Sequence, residues 1–228
     1  MNPEEDVKAG ETRPIRRPLQ EVDGQTFKRM FRAGLLWLRR HHHLVNALNV
    51  FPVPDGDTGT NMLLTMEAAW QEIAGMPDRE VGAVLQRMAR GALMGARGNS
   101  GVILSQIWRG MAEAMDHRPT MTAEDLARAL QEATRTAYRG VMRPVEGTIL
   151  TVIREASEAA AEALGRGADI VELLEQVVHR AREAVRRTPE LLPILKAAGV
   201  VDSGGQGLYL ILEGMLRDLR GEPVEPEE

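Results

Sequence analysis

A chain of 228 residues with 43% hydrophobic and 27% charged side chains has the material for one sizeable core. Its net charge of −5 excludes a protein that relies on nonspecific attraction to nucleic-acid phosphates, and no nucleic-acid partner is expected. The lack of cysteine excludes disulfide frameworks, thiolate metal sites and cysteine nucleophiles. No apolar run approaches the ~20 residues needed to cross a bilayer, and the first thirty residues carry no apolar signal core. A cytoplasmic protein without membrane insertion is expected.

Residues 1–24 are polar, with scattered Pro and Arg, and are expected as a flexible arm. Residues 25–220 are expected as one domain, and residues 221–228 as a disordered tail or the start of a linker. Within the domain, apolar side chains recur at close to 3.6 residues. Phe27, Met30, Phe31, Gly34, Leu35 and Leu38 share one face, as do Leu104, Ile107, Trp108, Met111 and Met115 further on. Start signals agree: Thr122 with Asp125 reads as a capping box, Asp78 follows a proline, and Asp169 precedes an apolar run. The pattern predicts helices near 26–46, 58–74, 78–93, 100–115, 122–139, 147–164, 169–186, 189–197 and 204–219. No segment alternates with period two. The expected fold is therefore all-α, with antiparallel amphipathic helices around one shared core.

Between the first two predicted helices lies the stretch Asn49 to Met62, whose centre reads Pro52-Val53-Pro54-Asp55-Gly56-Asp57-Thr58-Gly59-Thr60-Asn61. The prolines stiffen the approach to Asp55, and the glycines permit turns that a side chain would resist. Asp55 and Asp57, one residue apart, can face one hard cation, with Thr58 or Asn61 near the helix start. Mg²⁺ is held in this way, by one or two carboxylates together with phosphate oxygens. An EF-hand does not fit, because the required Gly and Glu fall at Thr60 and Met66. An Asx-capped turn before a helix is the alternative reading.

Two further glycine-rich helix starts follow. At Gly98-Asn99-Ser100-Gly101, backbone amides, the Ser100 hydroxyl and the helix dipole can receive phosphate oxygens, or the segment is a glycine cap followed by a serine cap. At Asp202-Ser203-Gly204-Gly205-Gln206-Gly207, three glycines in six residues weaken a helix start, and close approach by a ligand would account for them. Thr148, in Glu146-Gly147-Thr148-Ile149-Leu150, either lines a nucleotide pocket or caps a helix. His41, His42 and His43 are consecutive, so they do not share a helix face as a metal pair would. Met62 and Met94 are candidates to touch a base, and Arg97 to reach a phosphate.

Taken in order, these motifs resemble the nucleotide-binding L domain of dihydroxyacetone kinases, and more closely the N-terminal kinase domain of the bacterial fatty acid kinases. The resemblance runs from about residue 27 to residue 220. It implies a single barrel of about eight antiparallel helices with ATP or ADP and two Mg²⁺ ions at one end. Asp55 and Asp57 would hold the metal. Thr58, Thr60 and Asn61 would lie at the phosphates with Gly98, Asn99, Ser100 and Gly101. Thr148, Asp202, Ser203 and Gly204 would close the nucleotide pocket. The resembled dihydroxyacetone kinases carry a third aspartate where Val50 stands here. Resemblance to the fatty acid kinase branch implies the neighbouring Asn49 as a neutral metal ligand. No general base is evident. The resemblance implies an acceptor carried on a separate protein that binds either a fatty acid or dihydroxyacetone, and a homodimer is a further candidate assembly.

Overall fold

Side-chain caps and one-sided apolar stripes set the helices. The computed structural model describes residues 16–227. In chain order it contains β1 Glu21–Val22, α1 Gly24–Ala47, α2 Thr58–Ile73, α3 Val81–Met94 and α4 Gly98–Ala114. There follow β2 Met121–Thr122, α5 Ala123–Arg139, α6 Ile149–Gly165, α7 Ile170–Leu191, α8 Pro193–Ala198 and α9 Ser203–Leu219. The all-α expectation holds; among the described residues the only sheet is the two-residue ribbon β1–β2.

Several starts are where the sequence places them. Thr122 and Asp125 form a reciprocal capping box on α5, and the Asp169 carboxylate accepts from the Glu172 amide at 2.9 Å on α7. Two expectations need correction. Asp78 caps nothing: α3 begins at Val81, where the Val81 and Gly82 amides donate to the carbonyls of Pro119 and Arg118 at 3.0 and 2.9 Å. Pro189 does not separate two helices either. It lies inside α7, and the break comes at Leu192, ahead of Pro193. A proline at 189 leaves the Val185 carbonyl without its amide, and the Thr188 hydroxyl donates to that carbonyl at 2.6 Å instead.

Each barrel helix packs against the one before it and the one after it. Helix α9 then closes on α1, so α1 to α7 and α9 form a ring of eight, with α8 attached to α7. At the closing contact Gly34 and Gly214 bring α1 and α9 close; an added Cβ would stand 2.8 Å from the Ile211 carbonyl oxygen and 2.6 Å from that of Ala33. Fully buried side chains, among them Phe27, Phe31, Leu38, Met62 and Trp108, fill the interior. Phe31 of α1 and Trp108 of α4 meet edge to face at 5.3 Å, so the core is packed across the ring as well as around it.

Because successive helices alternate in direction, the connections α1–α2, α3–α4, α5–α6 and α7–α9 all fall at one end. Those are the four connections that carry the sequence motifs. The opposite end is fastened by residues just ahead of α1. β1 pairs with β2, the Leu19 amide donates to Asp169 at 2.8 Å, and Arg16 pairs with Asp169 at 2.7 Å. The expected arm is thus attached to the body from Arg16 onward; residues 1–15 lie outside the described residues. The expected tail also makes contacts: Val224 is buried, and Arg40 donates to the Glu225 carbonyl at 3.1 Å. Glu228 is outside the described residues.

Candidate functional site

The four connections at the motif end surround a cavity of about 680 Å³. That volume is in the range of sites for nucleotide-sized ligands.

The α1–α2 loop forms its acidic side. Asn49 is buried, and its side chain organises the loop: Nδ2 donates to the Val53 carbonyl at 3.1 Å, while Oδ1 accepts from the Asp57 and Thr58 amides at 3.2 and 3.3 Å. Both lone pairs of that oxygen are therefore engaged in tying the loop to the start of α2. The Asn46 side chain holds the amide and hydroxyl of Thr60, each at 3.0 Å. Held in this way, Asp55 and Asp57 turn their carboxyls toward each other. The hydrogen bond that a protonated Asp57 gives to Asp55 is the main cause that raises the Asp57 carboxyl above its ordinary range; burial adds to it, and the Asn61 side chain opposes it. Two carboxyls held this close disfavour each other's charge, which a divalent cation between them would relieve.

The start of α4 stands beside this pair. Gly98 opens the helix with φ +64°, and an added Cβ would lie 2.5 Å from Asn61 Nδ2, so conformation and space both require glycine. No side chain caps α4, and among the described residues the amides of Gly98, Asn99 and Ser100 have no protein acceptor. Three unpartnered amides at the positive end of a helix face the cavity, with the Ser100 hydroxyl beside them.

The other two helix starts are capped. Thr148 lines the cavity and caps α6, accepting from the Leu150 amide at 3.3 Å and donating to the Val145 carbonyl at 2.7 Å. Thr148 thus caps the helix and also faces the cavity. Asp202 is buried between the starts of α6 and α9, where it accepts from the Gly205 amide at 2.8 Å and from Ile149. Burial raises its carboxyl to about 6 against these two amide bonds. The Ser203 hydroxyl donates to the Thr58 hydroxyl at 3.1 Å, which joins the starts of α9 and α2.

Twelve of the fourteen sequence-selected positions line one cavity. They are Asn49, Asp55, Asp57, Thr58 and Asn61 from the first loop, Gly98, Asn99 and Ser100 from α4, and Thr148, Asp202, Ser203 and Gly204. Thr60 and Gly101 stand behind the wall: Thr60 bonds to Asn46, and a Cβ on Gly101 would lie 2.4 Å from Thr65 Oγ1. The glycines of α9 have a different cause from the one expected. A Cβ on Gly205 would meet Val152 at 2.9 Å and one on Gly207 would meet Met62 at 2.5 Å, so they serve helix packing; only Gly204 lines the cavity. Met62 lies in the core and Met94 is exposed outside the cavity, as is Arg97. The apolar lining comes instead from Phe51, Val102, Ile103, Val141 and Ile149, and the loop after α5 adds Arg143. Sequence reading missed these. The signal was the short break from Gly140 to Pro144, whose place in the helix order assigns it to the motif end.

The DAK2 domain family matches residues 52–217. The chain belongs to that family. This DAK2 domain is 48% identical over 206 residues to protein YloV of Bacillus subtilis, an alignment that covers 90% of the chain and 37% of YloV. It is 45% identical over 207 residues to the uncharacterized protein SAB1090 of Staphylococcus aureus, covering 91% of the chain and 38% of that protein. The chain therefore spans little more than a third of the length of these relatives. Among solved structures it is similar to the dihydroxyacetone kinase of C. freundii in its native form, with TM-score 0.59, 17% identity, and coverage of 95% of this chain and 38% of that one. The same kinase in complex with AMP-PNP and Mg²⁺ superposes with TM-score 0.61 at 18% identity and the same coverage. At these identities the likeness concerns the fold, which both sequence and structure give as the helical DAK2 barrel.

Proposed function

We propose that this DAK2 domain is an ATP- and Mg²⁺-dependent phosphotransferase domain, and that its acceptor is a fatty acid presented by a fatty-acid-binding partner protein. One observation carries the reading. A facing carboxylate pair and the α4 start, whose leading amides have no acceptor among the described residues, open into the same cavity. The similarity to a kinase solved with AMP-PNP and Mg²⁺ supports it, as does membership of the DAK2 domain family.

The donor set fits the ion. Asp55 and Asp57 would hold Mg²⁺ between them, and bound Mg²⁺ would neutralise charge on the β- and γ-phosphates. Asn49 would keep the loop in shape behind the pair, so a second ion would depend mainly on phosphate oxygens. The amides of Gly98, Asn99 and Ser100 would bind phosphate oxygens, as helix starts do in other nucleotide sites. Val102, Ile103 and Ile149 would exclude water from the base. Asn61, fixed between Asp57 and Gly98, would orient the carboxylate. No side chain in the wall is poised as a general base, and a carboxylate acceptor requires none, since it has no proton to lose.

Dihydroxyacetone as acceptor is the second reading, favoured by the fold of the solved neighbours. The test has two stages. Melting temperature is measured with and without Mg-ATP at a hundredfold excess over Kd, where binding adds about 2.7 kcal/mol, or on the order of 5–10 °C. ATP consumption is then followed with a fatty-acid-loaded binding protein and, separately, with a dihydroxyacetone-binding protein. A thermal shift with turnover on neither acceptor would leave a nucleotide-binding module and reject the kinase reading.

A further inference from the structure

The cavity wall has an uneven charge. Among the described residues its ionisable side chains are Asp55, Asp57, Asp202 and Arg143. Asp202 is buried and engaged by the starts of α6 and α9. That leaves a carboxylate pair and one cation to act on a ligand. Arg97, which sequence order puts next to the α4 start, does not line the cavity. Arg143 makes no ion pair with any described carboxylate.

Position adds to the case. In a ring of eight helices, the α1–α2 and α5–α6 connections are half a turn apart, so Arg143 stands across the mouth from Asp55 and Asp57. The loop behind it is anchored at Glu146, which accepts from the Tyr138 hydroxyl at 2.9 Å and from the Thr151 hydroxyl and pairs with Arg154 at 3.4 Å. The Gly147 amide donates to Thr151 Oγ1 at 2.8 Å, and Pro144 stiffens the chain directly after the arginine. Ahead of it Met142 is 98% exposed. A guanidinium is thus presented over an open cavity from a loop anchored just behind it, with no ion-pair partner among the described carboxylates.

We propose that Arg143 is the cation that contacts the terminal phosphate of the bound nucleoside triphosphate. The proposal rests on the nucleotide reading of the site. A triphosphate lying between the carboxylate-held ion and Arg143 has opposite charge on both flanks. The planar guanidinium fork matches two phosphoryl oxygens at once, which a lysine does not. In transfer to a carboxylate, the bond between the γ-phosphorus and the β–γ bridging oxygen breaks, and its electron pair remains on the diphosphate. An oxygen of the acceptor carboxylate forms the new bond. Arg143 meets the charge that spreads over the equatorial oxygens.

Calorimetric titration of Mg-ADP and Mg-AMP-PNP into the parent, Arg143→Ala, Arg143→Lys and Arg97→Ala tests this. Arg143→Ala is expected to weaken AMP-PNP by about tenfold or more while ADP stays within about twofold, because the contact is charge-assisted and only the longer nucleotide reaches it. Arg143→Lys should restore part of the difference, and Arg97→Ala should change neither ligand. Equal losses for both nucleotides, no loss for either, or the same selectivity from Arg97→Ala would overturn the assignment. Unchanged apo melting temperatures report that the exposed substitutions have not disturbed the fold. A parent protein that binds neither nucleotide would overturn the nucleotide reading itself, a result distinct from each of these.

Discussion

The two ends of the barrel are made of the same parts, four helix starts and the segments that lead into them, but they treat their backbone amides differently. At the far end every start is occupied. Asp23, Thr122 and Asp169 cap α1, α5 and α7 with side chains, and carbonyls of Arg118 and Pro119 receive the first amides of α3. At the motif end Asn46, Asn49, Thr148 and Asp202 occupy three of the four barrel-helix starts, and among the described residues the α4 start is left open. Helix starts in one molecule share the same dipole and the same orphan donors. On the proposed reading, the open start is where an anion would bind and the carboxylate pair beside α4 is where a cation would bind.

This contrast can be broken most severely at the pair. Asp57→Ala should abolish the nucleotide-dependent rise in melting temperature and lower transfer by about a thousandfold or more, since it removes metal-borne charge stabilisation worth several kcal/mol. Without nucleotide the variant should be at least as stable as the parent at neutral pH, because the proximity of Asp55 already disfavours a charged Asp57 in the folded state. A destabilised apo variant would make the loop a structural turn.

Asp202 sharpens the contrast from the capped side. Its carboxyl titrates at about 6 in the folded protein and at about 3.8 when released. Between those values the folded state keeps a proton that the unfolded chain has lost, so stability falls as pH rises from about 4 to about 6, by about 3 kcal/mol in all. Asp202→Asn keeps an oxygen for the Gly205 amide and should lose that fall. Denaturant melts of both proteins at about pH 4 and about pH 7 read the difference, and identical pH dependence would contradict a buried carboxyl there.

Gly98→Ala probes the open start directly. The left-handed backbone and the contact with Asn61 should cost about 2 kcal/mol and roughly 4–8 °C, with weaker nucleotide binding as well. The smallest effect is the control at the far end. Thr122→Ala removes one half of a capping box and should cost about 1 kcal/mol, about 2–4 °C, while the Mg-ATP shift stays the same. If both substitutions changed the shift alike, the distinction between the ends would fail.

Much of this was legible in the sequence because it rests on local rules. The 3.6-residue stripes located the helices, and polar residues ahead of apolar runs located the starts at Thr122 and Asp169. Acidic and glycine-rich spacing selected a wall that proved to surround one cavity. What the sequence hid depends on contacts between distant segments. Continuation of α7 through Pro189 needed a hydroxyl from Thr188. Gly205 and Gly207 read as ligand-facing until Val152 and Met62 were seen against them. Asn49 read as a metal ligand, yet its oxygen belongs to the α2 amides eight and nine residues later. Arg143 carries no motif at all, and only the order of helices around the ring brings it to the mouth.

Closure of α9 on α1 has a consequence of its own. A circle of helices has no privileged seam, and here the chain interrupts it only between the start of α1 and the end of α9, both at the end away from the cavity. The Gly165–Gly167 turn sits on that same side, where a Cβ at either glycine meets nothing within 4 Å. Rewiring the domain to begin after that turn, with the end of α9 joined to the start of α1 through a flexible bridge, should yield the same ring of helices and leave the motif-end cavity untouched.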